Sequence, residues 1–192
     1  RGSQYPLGFL GGKGPPYAEP AWRGTLITDQ YAGYNAVLDA KVYPQRRSAL
    51  CAAHARRYFE ELSRGGCSAS AVAIEAMHRW ARIYHAEGAL AGMDPDDRRR
   101  ARQQLSKPLW NEFEVWLRLQ RTQVPDGSKI AQAIDYSLNA WKALTLHLAE
   151  LWRLPALLMA LLRGSDSPRA QLTRTCANAA RHVLDASPGA NT

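Results

Sequence analysis

A carboxylate closing a short β-favouring run is the first feature with chemical potential. Thr25-Leu26-Ile27-Thr28 ends on Asp29, and the chain then turns through Gln30, Tyr31, Ala32, Gly33 and Tyr34. In open α/β sheets the ligand crevice lies outside the carboxyl ends of the strands, so an acid placed there can face a ligand while the apolar residues behind it stay in the core. A second chemically marked stretch follows, Cys51-Ala52-Ala53-His54-Ala55-Arg56-Arg57-Tyr58-Phe59. Cys51 and His54 have the spacing of a metal half-site, but a structural zinc needs about four ligands. Cys67, His78, His85, Cys176 and His182 are too scattered to supply the second pair. Cys51 therefore reads as a small buried residue at a strand end. His54 reads as packing or hydrogen-bonding near the crevice, and His78 and His85 as a solvated helix flank.

The elements that must position these groups follow from periodicity. Thr25 to Asp29 reads as a strand, Tyr31 to Ala40 as a helix in which Gly33 lets backbones approach, and Ser48 to Cys51 as a second short strand beside the first. The next helix, Ala52 to Leu62, places Ala52, Ala55, Phe59 and Leu62 on one stripe. Arg56 and Arg57 fall off that stripe, either as a solvated edge or as phosphate contacts.

Beyond Gly65-Gly66 the pattern is helical throughout. Ala73, Met77, Trp80 and Tyr84 share a face of a helix over Val72 to Leu90, with Ile83 beside it. Asp94-Pro95-Asp96-Asp97 marks a helix start followed by an arginine run. Pro108 opens a helix through Leu119, with Leu109, Phe113, Trp116 and Leu117 as its core side. Val124 to Ser128 is a turn and cap, and Lys129 to Leu148 reads as one long helix lined by Ile130, Ile134, Leu138, Trp141 and Leu148. By their helical period these aromatic stripes are packing surfaces rather than base-stacking platforms. The segment Arg1 to Ala21, rich in Gly and Pro, reads as loop or disorder.

Bulk composition narrows the function classes. The net charge of +8 and sequence pI of about 9.7 favour polyanionic partners. No stretch approaches the ~20 apolar residues of a bilayer span, and no secretory leader is readable, so a cytoplasmic protein without membrane contact is expected. Three irregularly spaced cysteines make no disulfide framework. Gly11-Gly12-Lys13-Gly14 lacks the spacing and the Ser or Thr of a P-loop, and there is no Gly-x-Ser-x-Gly elbow.

The string Gly24-Thr-Leu-Ile-Thr-Asp-Gln-Tyr-Ala-Gly-Tyr34, the later Cys51-Ala-Ala-His-Ala-Arg-Arg-Tyr-Phe59 and the helix Ala133-Ile-Asp-Tyr-Ser-Leu-Asn-Ala-Trp-Lys-Ala-Leu-Thr145 together resemble the transposases of the IS66 insertion-sequence family, over roughly Trp22 to Leu148. The resemblance implies an α+β, mostly helical chain: a partial RNase H-like α/β core carrying Asp29 (residues 22–66), a helical insertion and following helix (67–148), a preceding loop segment (1–21) and a divergent tail (149–192). It further implies a DDE-type transposase in which three carboxylates hold two divalent ions, normally Mg²⁺, for phosphodiester cleavage and strand transfer. By position Asp29 is the second acid, both catalytic and metal-binding. Tyr31, Tyr34, His54, Arg56 and Arg57 form the nucleic-acid-contacting set. The implied partners are the DNA of transposon ends, with a further copy of the chain or other insertion-sequence proteins.

The departures from that pattern set further expectations. The first acid belongs upstream of the aligned region. The third belongs shortly after Leu148, within an Asn-rich signature that Ala149 to Pro155 does not carry, and Glu150 falls too early to replace it. A truncated or frameshifted copy accounts for the loss, and such a chain is expected neither to cleave nor to join DNA by itself. The alternative is a non-catalytic basic DNA-binding or oligomerisation module.

Overall fold

The computed structural model describes residues 4–10, 22–65 and 70–149. Two short strands, β1 (Gly24–Thr28) and β2 (Arg46–Leu50), pair in parallel with Gly24 opposite Arg46 and Thr28 opposite Leu50. The Thr-Leu-Ile-Thr run fits a pleated, half-buried surface. Gly24 sits at φ +138°, and a Cβ there would meet the Trp22 ring at 3.2 Å, so both backbone and space call for glycine.

The link between the strands departs from the expected helix over Tyr31 to Ala40. Only a single tight 3-10 turn forms at Ala32–Tyr34, followed by turns and bends. The reason lies in the side chains of Asp29 and Asp39, which accept the backbone N–H groups of Tyr31 (3.1 Å) and Lys41 (2.9 Å). Asx turns of this kind satisfy donors that a helix would otherwise use, and the helix loses the competition.

Arg46 fastens this region together. It is buried, and it donates to the carbonyls of Trp22 (2.8 Å), Val37 (3.1 Å) and Leu10 (3.2 Å) while its guanidinium lies over the Tyr43 ring at 3.8 Å. The contact to Leu10 docks α1 (Gln4–Leu10), a helix where loop or disorder was expected.

The rest is helical: α2 (Ala52–Ser63), α3 (Ala71–Ala89), α4 (Pro95–Ala101), α5 (Lys107–Arg121), α6 (Lys129–Asn139), α7 (Trp141–Leu144) and α8 (Leu146–Ala149). Ser70, Asp94 and Ser128 cap α3, α4 and α6 by accepting N–H groups of the first turn. Between α4 and α5 the chain makes a π-turn at Arg102–Ser106 instead of breaking, and Arg102, Ser106 and Trp110 all end up buried. The single helix expected from Lys129 to Leu148 is divided into three, with non-helical backbone at Ala140 and a Thr145 hydroxyl bonded to the Trp141 carbonyl at 2.8 Å. That break places Trp141 edge-on against Trp110, with ring centroids 5.6 Å apart.

α2 packs on α3 and α6, and α5 on α3 and α6, around a core of Phe59, Trp80, Trp110, Phe113, Leu117 and Ile134. Trp80 meets Trp110 and Phe113 edge-to-face, each at 5.3 Å, the geometry that the ring quadrupoles favour. Within this core lies a buried ion pair: Glu87 accepts from the Arg102 guanidinium at 3.0 Å. His147 Nε2 stands 3.9 Å from the same carboxylate, and burial pushes the imidazole down to about 4, against the pull of Glu87. No helix among the described residues is long and apolar enough to cross a membrane. The architecture is α+β and mostly helical, with one small parallel sheet.

Candidate functional site

Asp29 lies one residue past the end of β1, exposed, while Thr28 behind it is buried. Three local constraints fix the turn. The Thr28 carbonyl accepts the Cys51 N–H at 2.9 Å, which carries the sheet pairing up to the acid. One Asp29 carboxylate oxygen accepts the Tyr31 N–H. Gln30 between them adopts φ +64°, a left-handed conformation that costs a non-glycine residue about 1 kcal/mol or more and clusters at functional turns.

A fourth constraint comes from far along the chain. The hydroxyl of Tyr136, on α6, donates to the Asp29 carbonyl at 3.0 Å. The Tyr136 ring lies against Tyr58 of α2, centroids 4.6 Å apart. Burial raises the Tyr136 phenol above its ordinary range, with Tyr58 and Asp29 adding to the rise, which further favours the protonated hydroxyl that donates to the Asp29 carbonyl.

Tyr31 is half exposed and meets Tyr34 edge-on at 5.9 Å. Its ring folds over Gly33, where a Cβ would come within 2.3 Å of it. Gly33 thus makes room for an aromatic ring rather than for a helix crossing.

On the other side, Cys51 is buried and precedes α2 as its cap residue, its carbonyl accepting the His54 N–H at 3.1 Å. Burial pushes the thiol up, and the neighbouring Asp29 charge adds a smaller rise; Cys51 is the small buried residue at a strand end that its sequence context suggested. His54 is half-buried, and its Nδ1 has no hydrogen-bond partner among the described residues. Arg56 donates to Glu60 and Arg57 to Glu61, each at 2.9 Å, and Arg56 also lies 5.8 Å from the Tyr84 ring. His78 and His85 are exposed on α3.

The site therefore joins Asp29 directly to Tyr31 and, through it, to Tyr34. His54, Arg56 and Arg57 stand along the helix that starts where β2 ends, the arginines engaged with acids one turn on. Tyr58 and Tyr136 were not among the residues singled out from the sequence. A signal existed for Tyr58, which falls off the stripe of Ala52, Ala55 and Phe59; none existed for Tyr136, whose partner is 107 residues away.

The divalent ions implied by the resemblance can be tested against these side chains. Among the described residues no three of His, Cys, Asp and Glu come together in a way that could hold a metal. Glu87 is committed to Arg102, and Asp135 accepts from Arg121 at 2.8 Å. Asp29 offers one carboxylate, and the described residues do not complete a metal centre around it. Glu150 and the divergent tail lie outside the described residues, as does Cys67.

Comparison with known proteins gives a consistent picture. The family model described as "Transposase IS66 family" matches residues 1–153, extending further toward the amino terminus than the motifs alone had suggested. Two proteins of Sinorhizobium fredii (strain NBRC 101917 / NGR234) are similar to the chain. "Uncharacterized protein y4hP" is 30% identical over 168 residues, covering 73% of this chain and 30% of that protein. "Uncharacterized protein y4jD" is 29% identical over 131 residues, covering 67% of this chain and 25% of that protein. The chain thus spans less than a third of the length of the curated relatives it matches. No solved structure matches.

Proposed function

This chain belongs to the IS66 transposase family, and on that footing we propose that it is the part of a DDE-type DNA transposase that carries the second acid, Asp29, on a partial RNase H-like core, acting in the cytoplasm on transposon-end DNA. The observation that supports the reading most is the exposed Asp29 at the carboxyl end of a parallel strand, held in a left-handed turn and tied to α6 by the Tyr136 hydroxyl. An acid there can face a ligand beyond the sheet edge while Thr28 and Cys51 seal the core behind it.

Recognition of DNA falls to the surface around that acid. Arg57 and Arg56 can exchange their helix-surface ion pairs for phosphates, because an i,i+4 pair of this kind is worth only about 0.3–0.5 kcal/mol. His54, Tyr31 and Tyr34 complete the proposed contact set.

In an intact DDE enzyme, three carboxylates, Asp29 among them, would hold divalent ions such as Mg²⁺, which would supply Lewis-acid chemistry for phosphodiester cleavage. With one suitable carboxylate among the described residues, the chain alone is expected to bind DNA without breaking it. A second reading, a non-catalytic basic module for DNA binding or oligomerisation, draws on the same incomplete acid set.

Two measurements on the purified chain test this. Supercoiled plasmid incubated with Mg²⁺ should stay uncut, and nicking that disappears in Asp29→Ala would overturn the expectation of inactivity. Mobility shift of a duplex across a salt series should show binding whose log-log slope flattens by about one on removing either arginine. Absence of any shift at low salt would end the DNA reading.

A further inference from the structure

Tyr58 is 46% exposed, although the next residue, Phe59, is fully buried. An exposed tyrosine is unremarkable by itself. What distinguishes this one is how it is held: its ring rests on Tyr136 at 4.6 Å and 51°, and the Tyr136 hydroxyl is bonded to the Asp29 carbonyl. Two contacts therefore fix an outward aromatic ring relative to the candidate acid.

We propose that the Tyr58–Tyr136 pair is a stacking platform for an unpaired base of single-stranded DNA whose backbone passes Asp29. The inference rests on the DNA-binding reading above and adds to it the strandedness of the ligand and the residue that senses it. In a duplex both faces of each base are occupied by neighbours, so a ring offered to one side recruits a base that has left the stack. Charge complementarity supports a nucleic acid as occupant. Arg56 and Arg57 immediately precede Tyr58 in α2, where their surface ion pairs yield readily to phosphate, and the chain as a whole carries +8. A ring already braced by Tyr136 loses little rotamer freedom on stacking, which is how a preorganised contact gains affinity. Tyr31, 49% exposed and bonded through its N–H to the Asp29 carboxylate, gives the strand a second aromatic surface.

The test uses the full chain with a short fluorescein-labelled oligonucleotide, the same oligonucleotide as a duplex, and a version carrying 2-aminopurine. Tyr58→Ala should weaken single-strand binding roughly 5- to 50-fold with the salt slope unchanged, because stacking is not an ionic term. Duplex binding should stay within about two-fold, and Tyr58→Phe should restore single-strand affinity, since the ring and not the hydroxyl is used. Quenching of 2-aminopurine by the parent protein should be lost in the alanine variant. Unchanged single-strand affinity in Tyr58→Ala, with duplex binding intact, would overturn this inference alone. An equal loss for both ligands would overturn it too, by marking Tyr58 as structural. Binding to neither DNA by the parent chain would remove the underlying DNA reading along with it.

Discussion

The helical block and the strand-end site are held by opposite means. The block buries Trp80, Trp110, Phe113 and Phe59 almost completely and encloses a Glu87–Arg102 pair within the same core. The site end exposes Asp29 and Tyr31, leaves Leu26 and Ile27 of β1 half-buried, and is held by polar contacts, from buried Arg46 to three carbonyls, from Cys51 to the Thr28 carbonyl, from Tyr31 to the acid and from Tyr136 to its carbonyl. Stability is concentrated where no chemistry is proposed. The site can therefore lose a side chain at small cost, whereas the block cannot.

The sharpest way to break this contrast is to cut into the aromatic cluster. Trp110→Ala removes the ring that contacts Trp80, Trp141 and His147, and it should cost about 3–5 kcal/mol in urea denaturation. A cost below ~1 kcal/mol would mean that the cluster collapses around the gap and is no keystone.

The next largest effect is expected from acid. His147 titrates at 6.5 when free but near 4 when folded, because burial opposes its charge. Below pH 6.5 the unfolded chain takes up a proton that the folded chain refuses until about pH 4, so stability should fall as pH drops through that window, by roughly 3 kcal/mol in all. Denaturation midpoints measured at pH 7, 5.5 and 4.5 check the slope. His147→Gln should flatten it, and an unchanged slope would assign the acid sensitivity to other groups.

The smallest effect belongs to the site itself. Asp29→Asn keeps an oxygen that can accept the Tyr31 N–H, and with the side chain exposed the change in stability should stay within about 0.5 kcal/mol. A loss comparable to that of Trp110→Ala would erase the distinction between the two regions and make Asp29 a folding residue.

How legible this was in the sequence differs between the two regions. Capping by Asp94 and Ser128 and the buried stripe of α2 follow local rules, and both were readable from spacing. Asp29 was readable because a strand end and an acid coincide within five residues. The link after it was not, because the Asx turns at Asp29 and Asp39 outcompete a helix that the residue types allow. The breaks at Ala140 and Thr145 go with the tertiary packing of Trp141 on Trp110, a long-range contact that periodicity cannot report. The pairing of Glu87 with Arg102, fifteen residues apart across two helices, and the reach of Tyr136 to Asp29 are long-range facts with no local signature.

Gly33 has one further consequence. Because the Tyr31 ring occupies the space a methyl group would need, Gly33→Ala would displace the ring from its present position without changing the chemistry of the tyrosine. The two positions thus behave as a lock and its bolt. A single carbon atom suffices to separate having an aromatic beside the acid from having it aimed.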